Sequence, residues 1–510
     1  MVRIIAQKTI ERLIKKPKLL LAPTLALRTI ISKSGNGVYA SSDSLFKGAV
    51  FGRDSLVVAE DLMTLKPHLA KKILITLAGL QGLKHRSANE EEPGKIIHEY
   101  RTKIVDGKHL DKAPLRIFNE LSRRWGGSES TLIYYGSVDS TAYFIRTLCK
   151  YCQTHGSRLL NQKVVRYDGS EASMADVLLA AVGWLETKLA HSRSGLIEYR
   201  AHNPDGIENQ AWKDSKEFYV HENGRFVNHD RPVASIEVQG LAYDALMLVG
   251  NLLPQRAETL KQLAAKLRST TVKLLWQPDR NYFALGVDFD QKGNLRVIKT
   301  ITANPASLLN STFFDDLEAE LKRKYVSEIV RNIMGTEFLT DAGIRSRALS
   351  EANLIPFWDY HGSFVSWPKE TYDIAKGLNH QGFPELAQQL ENRILNVVRK
   401  SRSYPEFLYV DPRGRVLGSS SNAHRHTHSL FIRSTNKPES IQAWTVSAVV
   451  AIMARRRHLL RINKFKQVDW QTLLEQEVLT HIPKVARLKS SRALTARYPD
   501  YPYKLTKDHF

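Results

Sequence analysis

The sequence predicts an all-α protein, one closed helical domain with small β-hairpin decorations in its loops. Three observations predict it. Apolar residues recur at three- and four-residue spacing through most of the chain, the period of a helix with a buried face. These stretches come in pairs joined by short turns. The pairs recur over roughly 400 residues with no Pro/Gly/Ser-rich linker to mark a second domain, and without the sequence period a solenoid would show.

The first pair is Ser55 to Leu65 and a helix starting at Pro67, which runs through Leu69, Ile73, Leu77 and Leu80 to Gly82. Proline suits that first helical position because its φ is already helical and its missing N–H would have no partner there. Val138 to Cys152 pairs with Met174 to Ala190, and Val238 to Leu253, stopped by Pro254, pairs with Ala257 to Trp276. A fourth pair involves Phe314 to Met334, and a fifth joins Glu370 to Leu378 with Glu385 to Val398. The last helix, Ala443 to His458, has no evident partner. Asp279-Arg-Asn-Tyr282 and Asp411-Pro-Arg-Gly414 carry the turn chemistry of β-hairpins.

A chain of 510 residues that is 43% hydrophobic can bury a large core. Its 74 basic and 52 acidic residues leave a net charge of +22, which draws a protein towards anionic surfaces without fixing its fold. The basic residues are dispersed, apart from Arg455-Arg-Arg457 and the final fifty residues, and no nucleic-acid-binding module is recognisable. No specific nucleic-acid partner is therefore expected. The chain has no apolar run of about 18 residues, so no membrane span is expected either. Only Cys149 and Cys152 occur, which excludes a disulfide framework and suits a reducing, cytoplasmic setting. Their helical surroundings mark them as core residues rather than half a zinc site. Residues 1–40 alternate basic and apolar side chains around Glu11 and two prolines, and read as a basic arm or docking helix rather than an export signal. Residues 41–460 form the helical domain, and 461–510 a basic extension. The oligomeric state is not legible.

Four irregular stretches rich in Gly, Asp, Asn and aromatics join the helices: Ser87 to Gly107, Ser194 to Ala234, Asn353 to Pro368, and Ser401 to Pro438. Loops on a rigid scaffold are where function concentrates. Two of their carboxylates stand out, Asp214 in Trp212-Lys-Asp-Ser215 and Glu406 in Tyr404-Pro-Glu-Phe407. Two carboxyl groups from distant segments, set among rings on which a sugar can stack, are what hydrolysis of a glycosidic bond requires. His424, His426 and His428 alternate and would face one way in a strand, but no carboxylate is matched to them and no metal site is expected.

Phe51-Gly-Arg-Asp-Ser55, Glu91-Glu-Pro-Gly-Lys-Ile-Ile-His-Glu99, Tyr135-Gly-Ser-Val-Asp-Ser140, Ile236-Glu-Val-Gln-Gly240 and Gln442-Ala-Trp444 follow one another in an order that resembles bacterial amylo-alpha-1,6-glucosidase-like, or glycogen-debranching-like, proteins of the six-hairpin glycosidase superfamily. The resemblance spans about residues 40 to 460. It implies an (α/α)6 toroid, six inner helices ringed by six outer ones, with 41–460 as catalytic domain and no cofactor. It also implies an inverting, exo-acting hydrolase of α-glucans or α-gluco-oligosaccharides, α-1,6 linkages included. Asp214 would be the general acid, its pKa raised by burial near Trp212 and Phe218 with Lys213 pointing away, and Glu406 the general base. Glu237 is the rival acid. Arg53 and Asp54 would hold sugar hydroxyls, with Asp54 also placed to cap its helix. Glu99, Asp139, Trp212, Glu237, Gln239, His361 and Trp367 complete the candidate sugar contacts; Glu99 has Arg101 as an alternative ion-pair partner, and Asp139 a helix to cap. Phe364-Val365 interrupts the family spacing beside His361. Three alternatives stay open: a trehalase- or glucoamylase-like hydrolase, a glycoside phosphorylase, and a noncatalytic carbohydrate-binding pseudoenzyme.

Overall fold

The computed structural model describes residues 20–33, 35, 37–42, 44–355, 360–417 and 437–462. The alternating histidines 424, 426 and 428, most of the basic arm and nearly all of the basic extension lie outside the described residues.

Burial separates two kinds of helix. In α2 (Gly52–Leu62) every residue from Gly52 to Ala59 is buried, charged ones included, and α5 (Asp139–His155) is buried without a break from Asp139 to Cys149. A helix buried all round belongs inside. By contrast α8 (Ala257–Leu275) buries only Leu260, Ala264, Leu267, Thr271 and Leu275, a single stripe at helical spacing. Such a helix lies outside with one face on the core.

The inner elements form a closed ring: α2, α5, α7 (Ile236–Leu252), a 3-10 segment Asn304–Asn310, α10 (Pro368–His380) and α12 (Ala443–Ile462), which returns to pack on α2. Between them in sequence run the outer helices α3 (Pro67–Gly79), α6 (Met174–Ala190), α8, α9 (Ala319–Ile333) and α11 (Pro384–Ser401). The short helix α1 (Pro23–Ile30) buries Ala26, Leu27 and Ile30 and packs on α12. This is the (α/α)6 toroid. The unpaired last helix thus finds its partner at the other end of the sequence. Helix α4 (Lys112–Arg124) is an excursion from the ring.

Local chemistry explains the boundaries. Proline occupies the first turn of α3, α10 and α11, while Ser173 and Asp176 cap α6 reciprocally. The fourth inner station begins Asn304-Pro305 and holds only seven residues, too few to show a helical period. Cys149 and Cys152 are free and buried.

Ion pairs brace the ring. Arg146 of α5 grips Glu60 of α2 with two bonds of 2.8 and 2.9 Å and stands 3.5 Å from Asp244 of α7. Asp61 of α2 accepts from Lys376 of α10 and Ser447 of α12, each at 2.8 Å. Among the described residues no helix is long and apolar enough to cross a membrane.

Short strands sit at the entrance of several inner helices. Strands β1 (Val50–Phe51), β2 (Glu99–Thr102) and β3 (Thr131–Tyr134) form one antiparallel sheet ahead of α2 and α5. A second sheet, of β4 (Ala234–Ser235), β5 (Gly286–Phe289) and β6 (Leu295–Ile298), leads into α7. The pair β7 (Val365–Ser366) and β8 (Leu408–Tyr409), with Ser366 opposite Leu408, sets the start of α10 against the segment that carries Glu406. The expected hairpin at Asp279–Tyr282 pairs Tyr282 with Gln277, and the one at Asp411–Gly414 closes with a bridge from Val410 to Val416.

Candidate active site

The N-termini of the inner helices converge on one rim of the ring. There a pocket of about 380 Å³, its open mouth included, is lined by Arg53, Asp54, Trp212, Asp214, His361, Trp367 and Glu406, together with Ala40, Phe46, Phe51, Tyr360, Gln442 and Trp444. Asp214 and Glu406, 192 positions apart in sequence, therefore share one cavity.

The pocket has an aromatic wall. Trp212 meets Trp367 at 5.2 Å and Trp444 at 5.4 Å, both edge to face, and His361 stacks on Trp367 at 4.8 Å with 16° between the rings. The Phe364-Val365 insertion supplies the start of β7, which leaves His361 and Trp367 side by side. Two cations flank Trp212: Lys369 Nζ lies 4.4 Å and Arg53 Cζ 5.1 Å from its ring centre. His361 Nδ1 lies 3.0 Å from Ser215 Oγ, and burial, with Lys213, Arg53 and Arg347 nearby, keeps its imidazole neutral.

Asp214 rides on a loop pinned from beneath. Val138 N donates to Gln210 O at 2.8 Å, and Asn209 Nδ2 to Ser215 O at 2.6 Å. Lys213 turns inward, where its fully buried ammonium pairs with Glu370 and donates to Asn304 Oδ1 at 2.9 Å. The Asp214 side chain keeps 30% of its surface open, and its Oδ2 lies 3.8 Å from Arg53 Nη2. Burial raises its pKa to about 6 against the pull of Arg53.

Glu406 is more enclosed, at 4% exposure. Its N–H donates to Glu439 O at 3.0 Å and its Oε2 accepts from Glu439 N at 3.1 Å, while Trp444 Nε1 donates to its carbonyl at 3.3 Å. The Glu439 carboxylate in turn accepts from Ser41 Oγ and Leu45 N. Burial pushes the Glu406 pKa up to about 8, with Glu439, Asp54 and Asp214 adding repulsion. Asp54 stands in the first turn of α2, accepts from Gln442 Nε2 at 3.1 Å, and is raised by burial to about 7. Three carboxyl groups near neutrality share one pocket.

Other candidates lie elsewhere. Asp139 and Glu237 line a second cavity, of about 600 Å³ with its opening, which shares Arg53 and Trp212 with the first. Glu237 accepts from Ser235 and from Asn304 Nδ2 at 2.8 Å. Gln239 is spent on the scaffold, accepting from Ile197 N at 2.8 Å and donating to the carbonyls of Ile197 and Ser235. Glu99 is buried against Arg101, which also donates to Leu45 O at 2.8 Å, and lines neither cavity. Gln442 and Trp444 lie inside the Gln442-Ala-Trp444 motif, and Tyr360 inside the irregular stretch Asn353 to Pro368, but neither pattern marked them as contacts. Phe46 carried no signal at all, since a lone Phe in a loop has no pattern. Among the described residues no group of three or more His, Cys, Asp or Glu is placed to hold a metal ion.

No family model matches the sequence, and no curated protein does. Solved structures do resemble the fold. An uncharacterized conserved protein from Thermus thermophilus superposes with a TM-score of 0.54 at 12% identity, over 84% of this chain and 99% of that one. The GH63 mannosylglycerate hydrolase of Thermus thermophilus, in complex with glucose, gives 0.51 at 13% identity, over 84% and 99%. A glycosidase variant gives 0.50 at 13% identity, over 85% and 95%. The chain shares its toroidal fold with these structures, a hydrolase and a glycosidase among them.

Proposed function

We propose that the protein is an inverting, exo-acting glycoside hydrolase. The observation that carries this reading is the pairing of Asp214 and Glu406 in one aromatic-walled pocket at the helix N-termini. Asp214 is the general acid. Its partly open side chain can reach a glycosidic oxygen leaving through the mouth, and a raised pKa lets it hold the proton it must give. Glu406 is the general base, held by Glu439 N and shielded so that little beyond a water reaches it. Arg53, Asp54, His361, Trp212 and Trp367 supply charged, polar and stacking contacts to the terminal ring.

The loop motifs that resemble amylo-alpha-1,6-glucosidase-like proteins support an α-glucoside as substrate, with α-1,6 linkages included. A neighbour of the same fold holds glucose and is named for mannosylglycerate. The substrate panel is therefore maltose, isomaltose, panose, trehalose, glycogen, limit dextrin and mannosylglycerate, with NMR of the first anomer released. Turnover without phosphate separates hydrolysis from phosphorolysis.

One observation favours a second allocation of roles. The proton rests more readily on Glu406 than on Asp214, which would make Glu406 the acid. Glycosyl fluorides decide between the two, because fluoride departs without protonation. With Asp214 as acid, Asp214→Asn loses about 10²–10⁴-fold on O-glycosides but keeps fluoride hydrolysis, whereas Glu406→Gln loses both. The opposite pattern reverses the roles. Full activity of both variants on O-glycosides refutes the site.

A further inference from the structure

We propose that Asp139 is a positioning residue that acts on Asp214 through Arg53, holding one edge of the guanidinium and offsetting its charge so that the acid can keep its proton. The inference rests on the glycosidase reading above. A general acid must be protonated when the substrate binds, yet Asp214 lies 3.8 Å from a permanent cation. Alone, that cation would favour the ionised acid.

Asp139 is built to prevent this. It is 1% exposed, starts α5, and accepts from Arg53 Nη1 at 2.7 Å and from Ser137 Oγ at 2.6 Å. Arg53 is itself buried at 5% exposure, lies over Trp212, and has no partner at Nε. Asp214 thus meets one end of an ion pair rather than a bare charge. The groups whose charge bears on it are Arg53 and Asp54 from α2, Asp139 from α5, Glu99 from β2, Glu406 ahead of β8, and Tyr360. Lys369 of α10 is tied to Asp373 at 3.2 Å. Arg53 is the one cation among the six. Burial opposes the Asp139 charge, but Arg53 and Ser137 outweigh it and hold its carboxyl below the usual range. The arrangement also serves the next step. Once Asp214 has given up its proton, the Nη2 edge of Arg53 stabilises the carboxylate that forms.

The test is an infrared difference titration of the Asp214 carboxyl, identified as the band that Asp214→Asn removes. In Asp139→Asn the midpoint falls by about one pH unit, and Asp139→Glu restores it. In Arg53→Met/Asp139→Asn, which removes the pair together, the midpoint rises above the wild type. A purely structural role would not order the three proteins in this way. If Asp139→Asn does not fold, Arg53→Met is compared with the double variant: the midpoint rises in Arg53→Met and drops again when Asp139→Asn is added, and the same midpoint in both overturns the proposal. The kinetic arm compares an alkyl glycoside with the matching glycosyl fluoride. Asp139→Asn loses at least about tenfold more on the glycoside at pH 7, and equal losses on both overturn the proposal. A wild type that hydrolyses neither substrate refutes the glycosidase reading, and the titration still decides the coupling.

Discussion

Replacing Glu406 by Gln should stabilise the folded protein, and only at high pH. The Glu406 carboxyl is 4% exposed and its pKa rises from 4.5 to about 8 on folding, chiefly because burial disfavours its charge. A group whose folded pKa is raised contributes its full stability below the unfolded value and loses it as pH climbs through the folded one. Below about pH 4.5 the residue is neutral in both states, and Gln behaves like Glu. Above about pH 8 the folded protein must carry a buried anion close to Glu439, Asp54 and Asp214. At 1.36 kcal/mol per pH unit, the gap between the two values amounts to about 5 kcal/mol. Gln keeps an acceptor for Glu439 N and nearly the same volume, so little offsets that gain. With about 2.1 cal/mol/K of unfolding entropy per residue, a chain this long shifts by about 1 °C per kcal/mol. Calorimetry should show Glu406→Gln melting about 4 °C above the wild type at pH 9 and within about 1 °C of it at pH 5. An equal gain at both pH values, or a loss at pH 9, would refute the reasoning.

The same carboxyl groups set the pH–rate profile. With Asp214 near 6 and Glu406 near 8, kcat/KM should peak around pH 7 and fall on both sides, and a profile flat from pH 5 to 9 would contradict the pair. Lys213→Met should destabilise the protein by about 3–5 kcal/mol in denaturant titrations, because it strands Glu370, whereas Lys213→Met/Glu370→Leu should recover most of that loss. A double variant no better than the single one would mean that the ion pair is not the anchor. Gly52→Ala should abolish soluble expression or remove well over about 3 kcal/mol, since its Cβ would fall 2.1 Å from Ile97 O at the turn into α2. Near wild-type melting would show that this backbone approach can relax.

Much of the toroid was legible because helices with a buried face write their period into the chain. Val138 to Cys152 and Val238 to Leu253 fall within two or three residues of α5 and α7. What escaped was whatever depends on partners distant in sequence. The seven-residue 3-10 segment at Asn304 closes the ring only because α7 and α10 flank it. The match of α1 to α12 lies between opposite ends of the described chain. At the site, Asp214 and Glu406 could be picked out because carboxylates beside Trp and Tyr form a local pattern. That Lys213 buries its ammonium against Glu370 and Asn304 could not be read, since adjacent loop residues carry no period. The proximity of Asp54 to Gln442 is likewise a product of ring closure.

That closure has a kinetic side. Gln442 reaches Asp54 across 388 positions, Ser447 reaches Asp61 across 386, and Tyr404 reaches Leu21 across 383. Contacts of such long range form late, because the intervening chain must first be ordered. On a ribosome adding about 5–20 residues per second, α2 waits about 20–80 s before α12 exists to receive it. Until then the buried Arg53, Asp54 and Glu60 face an open ring and water. The pocket is thus among the last parts of the molecule to be assembled, and an incomplete chain can hold folded hairpins yet have no place to bind a sugar.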